Sequence, residues 1–94
     1  MNRIVLDTET TNSLDEPICY DIGYAVVDEN FNVLKSESYA VAEIFCDKEL
    51  MSSAYYADKI PAYWEDIKNG NRKLARLMTI LRTLWADIKA YGDD

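Results

Sequence analysis

The sequence predicts a small α/β domain in which a three-stranded antiparallel meander precedes two or three helices. Apolar and alternating runs occupy residues 1–46, whereas residues 71–91 carry apolar side chains at helical spacing. Of the 94 residues, 49% are hydrophobic and 29% are charged, which is typical of a soluble globular protein. The sequence contains no long linker, so we expect residues 1–94 to form a single domain.

The predicted meander lies in the first 46 residues. Residues 3–7 and 18–27 are apolar runs that favour buried strands. Residues 28–32 are rich in Asp and Asn, whose side chains bond to nearby backbone groups and favour a turn. Residues 33–44 then return to an extended alternation, which predicts a hairpin between the second and third strands.

The second half of the chain changes to helical spacing. Residues 47–70 predict short helices, the first capped by Asp47 and the second running from residue 62 to residue 68, after Pro61, with Gly70 as its stop. Residues 71–91 predict a long amphipathic helix that Gly92 ends. We expect its apolar stripe to belong to the core. The stripe consists of Leu74, Leu77, Met78, Leu81, Leu84, Trp85 and Ile88.

Charge and histidine content exclude several classes of protein. The 10 basic and 17 acidic residues give a net charge of −7, which argues against a basic nucleic-acid-binding domain or a polybasic membrane clamp. Residues 1–70 hold 5 basic and 14 acidic residues, net −9, while residues 71–94 hold 5 and 3, net +2. There is no histidine, which excludes a Ser-His-Asp triad and histidine-bearing zinc sites.

The composition also indicates in which cellular compartment the protein is expected. No apolar run reaches the roughly 18 residues of a membrane span, and the N-terminal residues do not form a signal peptide. Cys19 and Cys46 are too few for a disulfide framework, so we expect inert buried thiols in a reducing, cytoplasmic setting, with no membrane partner.

An Asp-x-Glu motif carries the candidate chemistry. In a strand, Asp7 and Glu9 leave the same face with α-carbons about 6.6 Å apart, while Thr8 points to the other face. Two carboxylates held together repel unless a proton or a cation neutralises them. Mg²⁺ or Mn²⁺ suits such a pair, because hard cations bind through one or two carboxylates together with water and phosphate oxygens. A surface strand with no function can carry the same three residues.

A family resemblance extends this motif. Residues 4–11, IVLDTETT, and residues 20–28, YDIGYAVVD, resemble the opening of the DEDD (DnaQ-like) 3′-to-5′ exonucleases, which have an RNase H-like fold. Residues 48–61 look like phage-encoded members of that family. The resemblance implies that Asp7 and Glu9 are catalytic carboxylates that hold the metal.

The same resemblance implies a nucleic-acid substrate, and it also shows which motifs of the family this sequence lacks. The backbone around Thr8 to Thr10 would face the 3′-terminal nucleotide of single-stranded DNA or RNA. The resemblance covers only the front part of such an enzyme, since the motifs that supply two further Asp residues and a water-activating His or Tyr are missing. Asp93 and Asp94 lie near a chain end and are not expected to replace them. We therefore expect the chain alone to have little or no nuclease activity.

Two further expectations concern partners. In RNase H-like sheets the first strand is central, so a front part alone would leave an open edge at residues 4–6, which favours a homodimer or a tight hetero-partner. The alternative function is that of a small acidic interaction protein derived from the scaffold. It could block the basic channel of a nucleic-acid-binding protein, as a phage-encoded inhibitor of a host defence nuclease would, since carboxylates can stand where phosphates bind.

Overall fold

A computed structural model describes residues 2–12, 15–52, 54 and 57–92, and it has an α/β architecture. Its sheet has the strand order β1-β2-β3-β4. The strands are β1 (Arg3–Asn12), β2 (Pro17–Val27), β3 (Val33–Val41) and β4 (Lys73–Ala75). The first three strands pair antiparallel, as predicted, but β4 pairs parallel to β3. The sheet is therefore mixed, and the expectation of a pure antiparallel meander was wrong.

The fourth strand replaces the beginning of the predicted long helix. Residues 73–75 pair with residues 39–41 of β3, and Lys73 Nζ donates to Glu37 Oε2 at 2.8 Å. Lys, Leu and Ala all favour helices, but these contacts with distant residues override that local preference. The helix begins only at Leu77, whose backbone N–H donates to Glu43 Oε1 at 2.9 Å.

Four α-helices and a 3₁₀ turn complete the described part of the chain. Asp47 caps a helix as predicted, because its side chain accepts hydrogen bonds from the backbone N–H groups of Glu49 and Leu50 at 3.0 and 3.1 Å. Residues 42–44, predicted to be extended, are helical instead. The helices are α1 (Ala42–Phe45), α2 (Lys48–Met51), α3 (Ile60–Lys68) and α4 (Leu77–Tyr91), with the 3₁₀ turn at Ala57–Lys59.

Turn residues explain where the elements end. Between β2 and β3, Asp28 Oδ1 accepts hydrogen bonds from the backbone N–H groups of Asn30 and Asn32, both at 2.9 Å, so the predicted turn is confirmed. Pro61 lies in the first turn of α3, where its missing N–H costs nothing, and the helix starts before it rather than after it. Gly70 follows α3 with φ of 80°, a conformation that favours glycine.

The two faces of the sheet carry different side chains. Ile22 and Tyr24 of β2 and Tyr39 of β3 are buried against Ile80 of α4, and we call this side the helix face. The opposite side carries Asp7 and Glu9, and we call it the carboxylate face. A second core cluster lies where α1, α2 and α3 cover one end of the sheet. It consists of Tyr20, Ala40, Phe45, Met51, Ala54 and Tyr63.

The rotation of α4 differs from the predicted one. Ile80, which the predicted stripe omitted, is fully buried, and Asp87 is 5% exposed. Met78 and Trp85, both in the predicted stripe, are 59% and 58% exposed. The expectation that the whole stripe is core was therefore wrong, because α4 turns only one edge of its apolar surface toward the sheet.

A buried carboxylate fixes this rotation. The Tyr24 hydroxyl donates to Asp87 Oδ2 at 2.5 Å, and Lys35 Nζ donates to Asp87 Oδ1 at 2.8 Å. Burial of Asp87 opposes its ionisation, but the hydrogen bonds from Lys35 and Tyr24 and the positive charge of Lys35 hold its pKa below the ordinary value. The ionised carboxylate thus joins α4 to β2 and β3.

We expect Asp87→Asn to lower the free energy of unfolding at pH 7 by roughly 1 to 2 kcal/mol, less than for a fully buried pair because the Lys35 side chain is 32% exposed. Since the pKa of Asp87 is lower in the folded state than in the unfolded state, this stabilisation is complete above about pH 4 and is lost as the pH falls through the folded value. Urea unfolding from pH 2 to pH 7 measures the difference between the two proteins, and a difference independent of pH would contradict the assignment.

Candidate carboxylate site

Asp7 and Glu9 lie inside β1 rather than at its end. The strand continues to Asn12, and Asp7 is paired with Gly23 of β2 while Glu9 is paired with Asp21. Residues directly opposite each other in an antiparallel pair project from the same face, as do residues two apart along a strand. All three carboxylates therefore share the carboxylate face.

Gly23 leaves room beside Asp7. A β-carbon at Gly23 would meet its nearest neighbour, the Glu37 carbonyl oxygen, at 3.7 Å, which is an ordinary contact. The glycine is therefore not required by crowding. Its effect is to leave the space across from the Asp7 carboxylate open to solvent, ions or a ligand.

Glu9 lies at the wall of a cleft of about 300 Å³. Acidic and basic groups both reach this cleft, so its charge is mixed rather than purely negative. The cleft is lined by Glu9, Asp21, Lys59, Ala62, Tyr63, Asp66 and Arg72.

Asp21 is the carboxylate of this group that already has strong partners. Arg72 Nη1 donates to Asp21 Oδ1 at 2.7 Å, and the Tyr63 hydroxyl donates to Asp21 Oδ2 at 2.6 Å. The Arg72 guanidinium also lies 4.1 Å from the centre of the Tyr63 ring, in a cation–π contact. Burial and the hydrogen bond to Asp21 raise the pKa of Tyr63, so its hydroxyl stays a donor at neutral pH. This network joins α3 and the segment before β4 to β2.

Asp7 and Glu9 lack such partners. In the described residues, neither carboxylate has a hydrogen bond or an ion pair, and no group of three or more His, Cys, Asp or Glu side chains is placed to hold a metal ion. Two unpaired carboxylates on one face fit an ion that takes most of its ligands from water and phosphate oxygens, as Mg²⁺ does. They do not fit an ion coordinated by protein side chains alone.

The threonines of the motif are dispersed. Thr8 has the strand parity of Ile4 and Leu6, so its side chain belongs to the helix face, and Thr10 is exposed beside a strand irregularity between residues 9 and 10. Thr11 is buried and donates to the Leu50 carbonyl at 2.5 Å, which is a structural contact. Any contact of Thr8 with a ligand on the carboxylate face would use its backbone.

Sequence reasoning missed the Asp21, Tyr63 and Arg72 network, because these residues are separated by 42 and 51 positions and follow no common period. Tyr63 also belongs to the core, where it packs with Tyr20 and Phe45. Cys46 is exposed, so the expectation of two buried thiols was wrong for that residue.

Comparison with protein-family models, with curated proteins and with solved structures finds no match to this chain. The fold class is α/β with a mixed four-stranded sheet, and the RNase H-like fold stays a prediction. Across the described residues, none of the helices combines the length and the apolar character needed to cross a membrane.

We expect the double substitution Asp7→Asn/Glu9→Gln to stabilise the metal-free protein by about 0.5 kcal/mol at low salt, because it relieves repulsion between like charges two residues apart on β1 and between Glu9 and its cross-strand neighbour Asp21. The gain should shrink at high salt as screening increases. Thermal unfolding in buffer with a chelator measures it, and Glu49→Gln/Asp58→Asn is a control with the same charge change elsewhere. A clear loss of stability in the first variant would show that the two carboxylates have a structural role instead.

Proposed function

We propose that this chain is the front part of a metal-dependent 3′-to-5′ exonuclease of the DEDD type and that it is inactive alone. The observation that carries the proposal is the placement of Asp7 and Glu9 together, unpaired within the described residues, on one face of β1. A cation bound between the two carboxylates would neutralise their like charges, so the pair favours a function that supplies a cation.

Asp7 and Glu9 would hold Mg²⁺ or Mn²⁺, and the open space beside Gly23 would admit the ion with its water ligands. When bound, the ion would neutralise charge on a phosphodiester and lower the pKa of a bound water. The backbone at Thr8 and Thr10 would lie along the 3′-terminal nucleotide of single-stranded DNA or RNA. Lys59 and Arg72 line the same cleft as Glu9, and Arg72 is paired there with Asp21.

Inactivity of the isolated chain follows from the same geometry. Phosphoryl transfer depends on positioning the nucleophile and on clamping both reacting oxygens. The third nearby carboxylate, Asp21, is held by Arg72 and Tyr63, so it is not available as a metal ligand without breaking that network. The missing ligands and the group that orients water would come from elsewhere.

We expect Mn²⁺ to broaden the backbone amide signals of residues 6–9 in NMR spectra, with a dissociation constant on the order of 1 mM because only two carboxylates bind it. Asp7→Asn/Glu9→Gln should abolish the broadening, and Glu49→Gln/Asp58→Asn should retain it. The chain alone should not trim single-stranded DNA or RNA in Mg²⁺ or Mn²⁺. Absence of the broadening would overturn the metal site, and trimming that Asp7→Ala abolishes would overturn the predicted inactivity.

The uneven charge distribution favours a second candidate, an acidic interaction protein that occupies the basic channel of a nucleic-acid-binding protein. Many of the carboxylates of the first seventy residues are exposed, and they are spread over strands, turns and helices rather than gathered at one site. Such a surface can mimic the spaced charges of a phosphate backbone. The exposed acidic residues include Asp15, Glu16, Glu29, Glu43, Asp47, Glu49, Asp58 and Glu65.

A cleavage assay with a panel of purified nucleases that have basic channels distinguishes the two candidate functions. An interaction protein should inhibit at least one nuclease in proportion to its concentration, and Asp7→Ala/Glu9→Ala should inhibit equally well because it removes only 2 of 17 acidic residues. Loss of inhibition in that variant would point back to the metal-dependent role. No inhibition of any nuclease in the panel would count against the interaction protein.

A further inference from the structure

The outer edge of β1 offers backbone groups for pairing. β1 stands at one end of the strand order, so its outer edge pairs with none of the described strands. Along the outer side of a strand, alternate residues present free N–H and C=O groups that another strand can bind. Val5 and Leu6, in this strand, are 58% and 54% exposed.

An apolar wall stands beside this edge on the helix face. Asn2 Nδ2 donates to the Tyr91 carbonyl at 2.8 Å, and Ile88 lines a cavity of about 200 Å³ together with Ile4 of β1. The C-terminal half of α4 therefore lies next to the start of β1. Helical spacing places Leu81 and Trp85 on the same flank of α4 as Ile88, and both are exposed.

Leu6 extends this wall onto the strand, because it has the parity of Ile4 and so belongs to the helix face. We call Leu6, Leu81, Trp85 and Ile88 the apolar shelf. Each of these side chains is at least 38% exposed, and exposed apolar side chains grouped on one side of a fold favour binding of a partner. An apolar side chain projecting from a strand paired with β1 would lie on it.

The carboxylate face of the same edge carries acidic groups beside the exposed Val5. Asp7 and Glu9 project from the carboxylate face and have no cationic partner in the described part of the chain. A strand paired with β1 would place its other set of alternate side chains next to these carboxylates. Opposite charges favour, and like charges disfavour, such cross-strand neighbours.

We propose that the edge of β1 binds an extended segment of a partner protein in which apolar residues alternate with Lys or Arg. The apolar residues cover the shelf, the basic residues pair with Asp7 and Glu9, and the backbone extends the sheet by one strand. A second copy of this chain suits the edge poorly, because antiparallel pairing of two β1 strands brings the carboxylates of both copies to the same face. The partner strand does not depend on the exonuclease proposal, since Asp7 and Glu9 act here only as unpaired charges.

Alternating ten-residue peptides test this directly. One peptide repeats Val-Lys, a second repeats Val-Glu, and a third has the composition of the first with five Val followed by five Lys. Trp85 reports binding by fluorescence in a Trp64→Phe background, which removes the other tryptophan. We expect the Val-Lys peptide to bind at least tenfold more tightly than either control at low salt and to shift Trp85 emission to the blue.

Matched variants locate the contact. Asp7→Lys/Glu9→Lys should reverse the preference toward the Val-Glu peptide, while Glu49→Lys/Asp58→Lys, with the same charge change on exposed residues elsewhere, should not. Leu6→Asp should abolish binding and Leu34→Asp, at another exposed leucine, should leave it intact. Circular dichroism checks that each variant is folded.

Three results would overturn the proposal. The first is equal binding of the Val-Lys and block peptides, which would indicate attraction to the overall negative charge. The second is an unchanged preference in Asp7→Lys/Glu9→Lys. The third is a dimer in light scattering that Leu6→Asp dissociates, which would make a second copy the occupant. Peptide binding without Mn²⁺ binding at residues 6–9 would remove the exonuclease proposal and leave the strand partner standing.

Discussion

The ionised Asp87 carboxylate determines how the long helix sits on the sheet. Tyr24 and Lys35 both donate to it, from neighbouring strands, so α4 must turn Asp87 inward. Ile80, seven residues earlier and on the same side of the helix, then enters the core. Leu81, Trp85 and Ile88 are then left on one flank of α4, where Ile88 lies beside Ile4 of β1. The apolar shelf is thus a consequence of burying one charge.

The carboxylates of the carboxylate face are of two kinds. Asp21 is held by Arg72 and Tyr63, and it contributes to the attachment of α3 to the sheet. Glu9, its cross-strand neighbour, and Asp7 have no such partners in the described residues. A purely structural origin accounts for the first kind, because each oxygen of Asp21 accepts a hydrogen bond. It does not account for the second kind, which accepts no hydrogen bond and forms no ion pair within the described residues.

Local signals predicted the elements that local interactions stabilise. The turn before β3 and the cap at Asp47 depend on side chains that bond to their own neighbouring backbone, and both appear where the sequence placed them. The strand at residues 73–75 depends on Glu37 and on the end of β3, far away in sequence, so helical periodicity misassigned it. The sequence did not predict the rotation of α4. Apolar periodicity indicates which face of a helix is buried from its apolar residues alone, and it cannot show that an aspartate such as Asp87 will be buried. The Asp-x-Glu pair was found from its spacing, which strand geometry fixes.

The metal and the basic strand compete for one pair of charges. Asp7 and Glu9 together carry two negative charges on the exposed side of an edge strand, and a single divalent ion or two basic side chains would neutralise them. A hydrated Mg²⁺ would contact the carboxylates but not the backbone edge or the apolar shelf. A bound strand would contact the carboxylates, the backbone edge and the shelf. Binding of the strand therefore gains free energy from burying apolar surface, which the ion does not bury. Binding of the ion does not lose the conformational entropy that a flexible peptide loses when it is ordered. Occupancy of the edge would thus decide whether the carboxylates are free to bind metal.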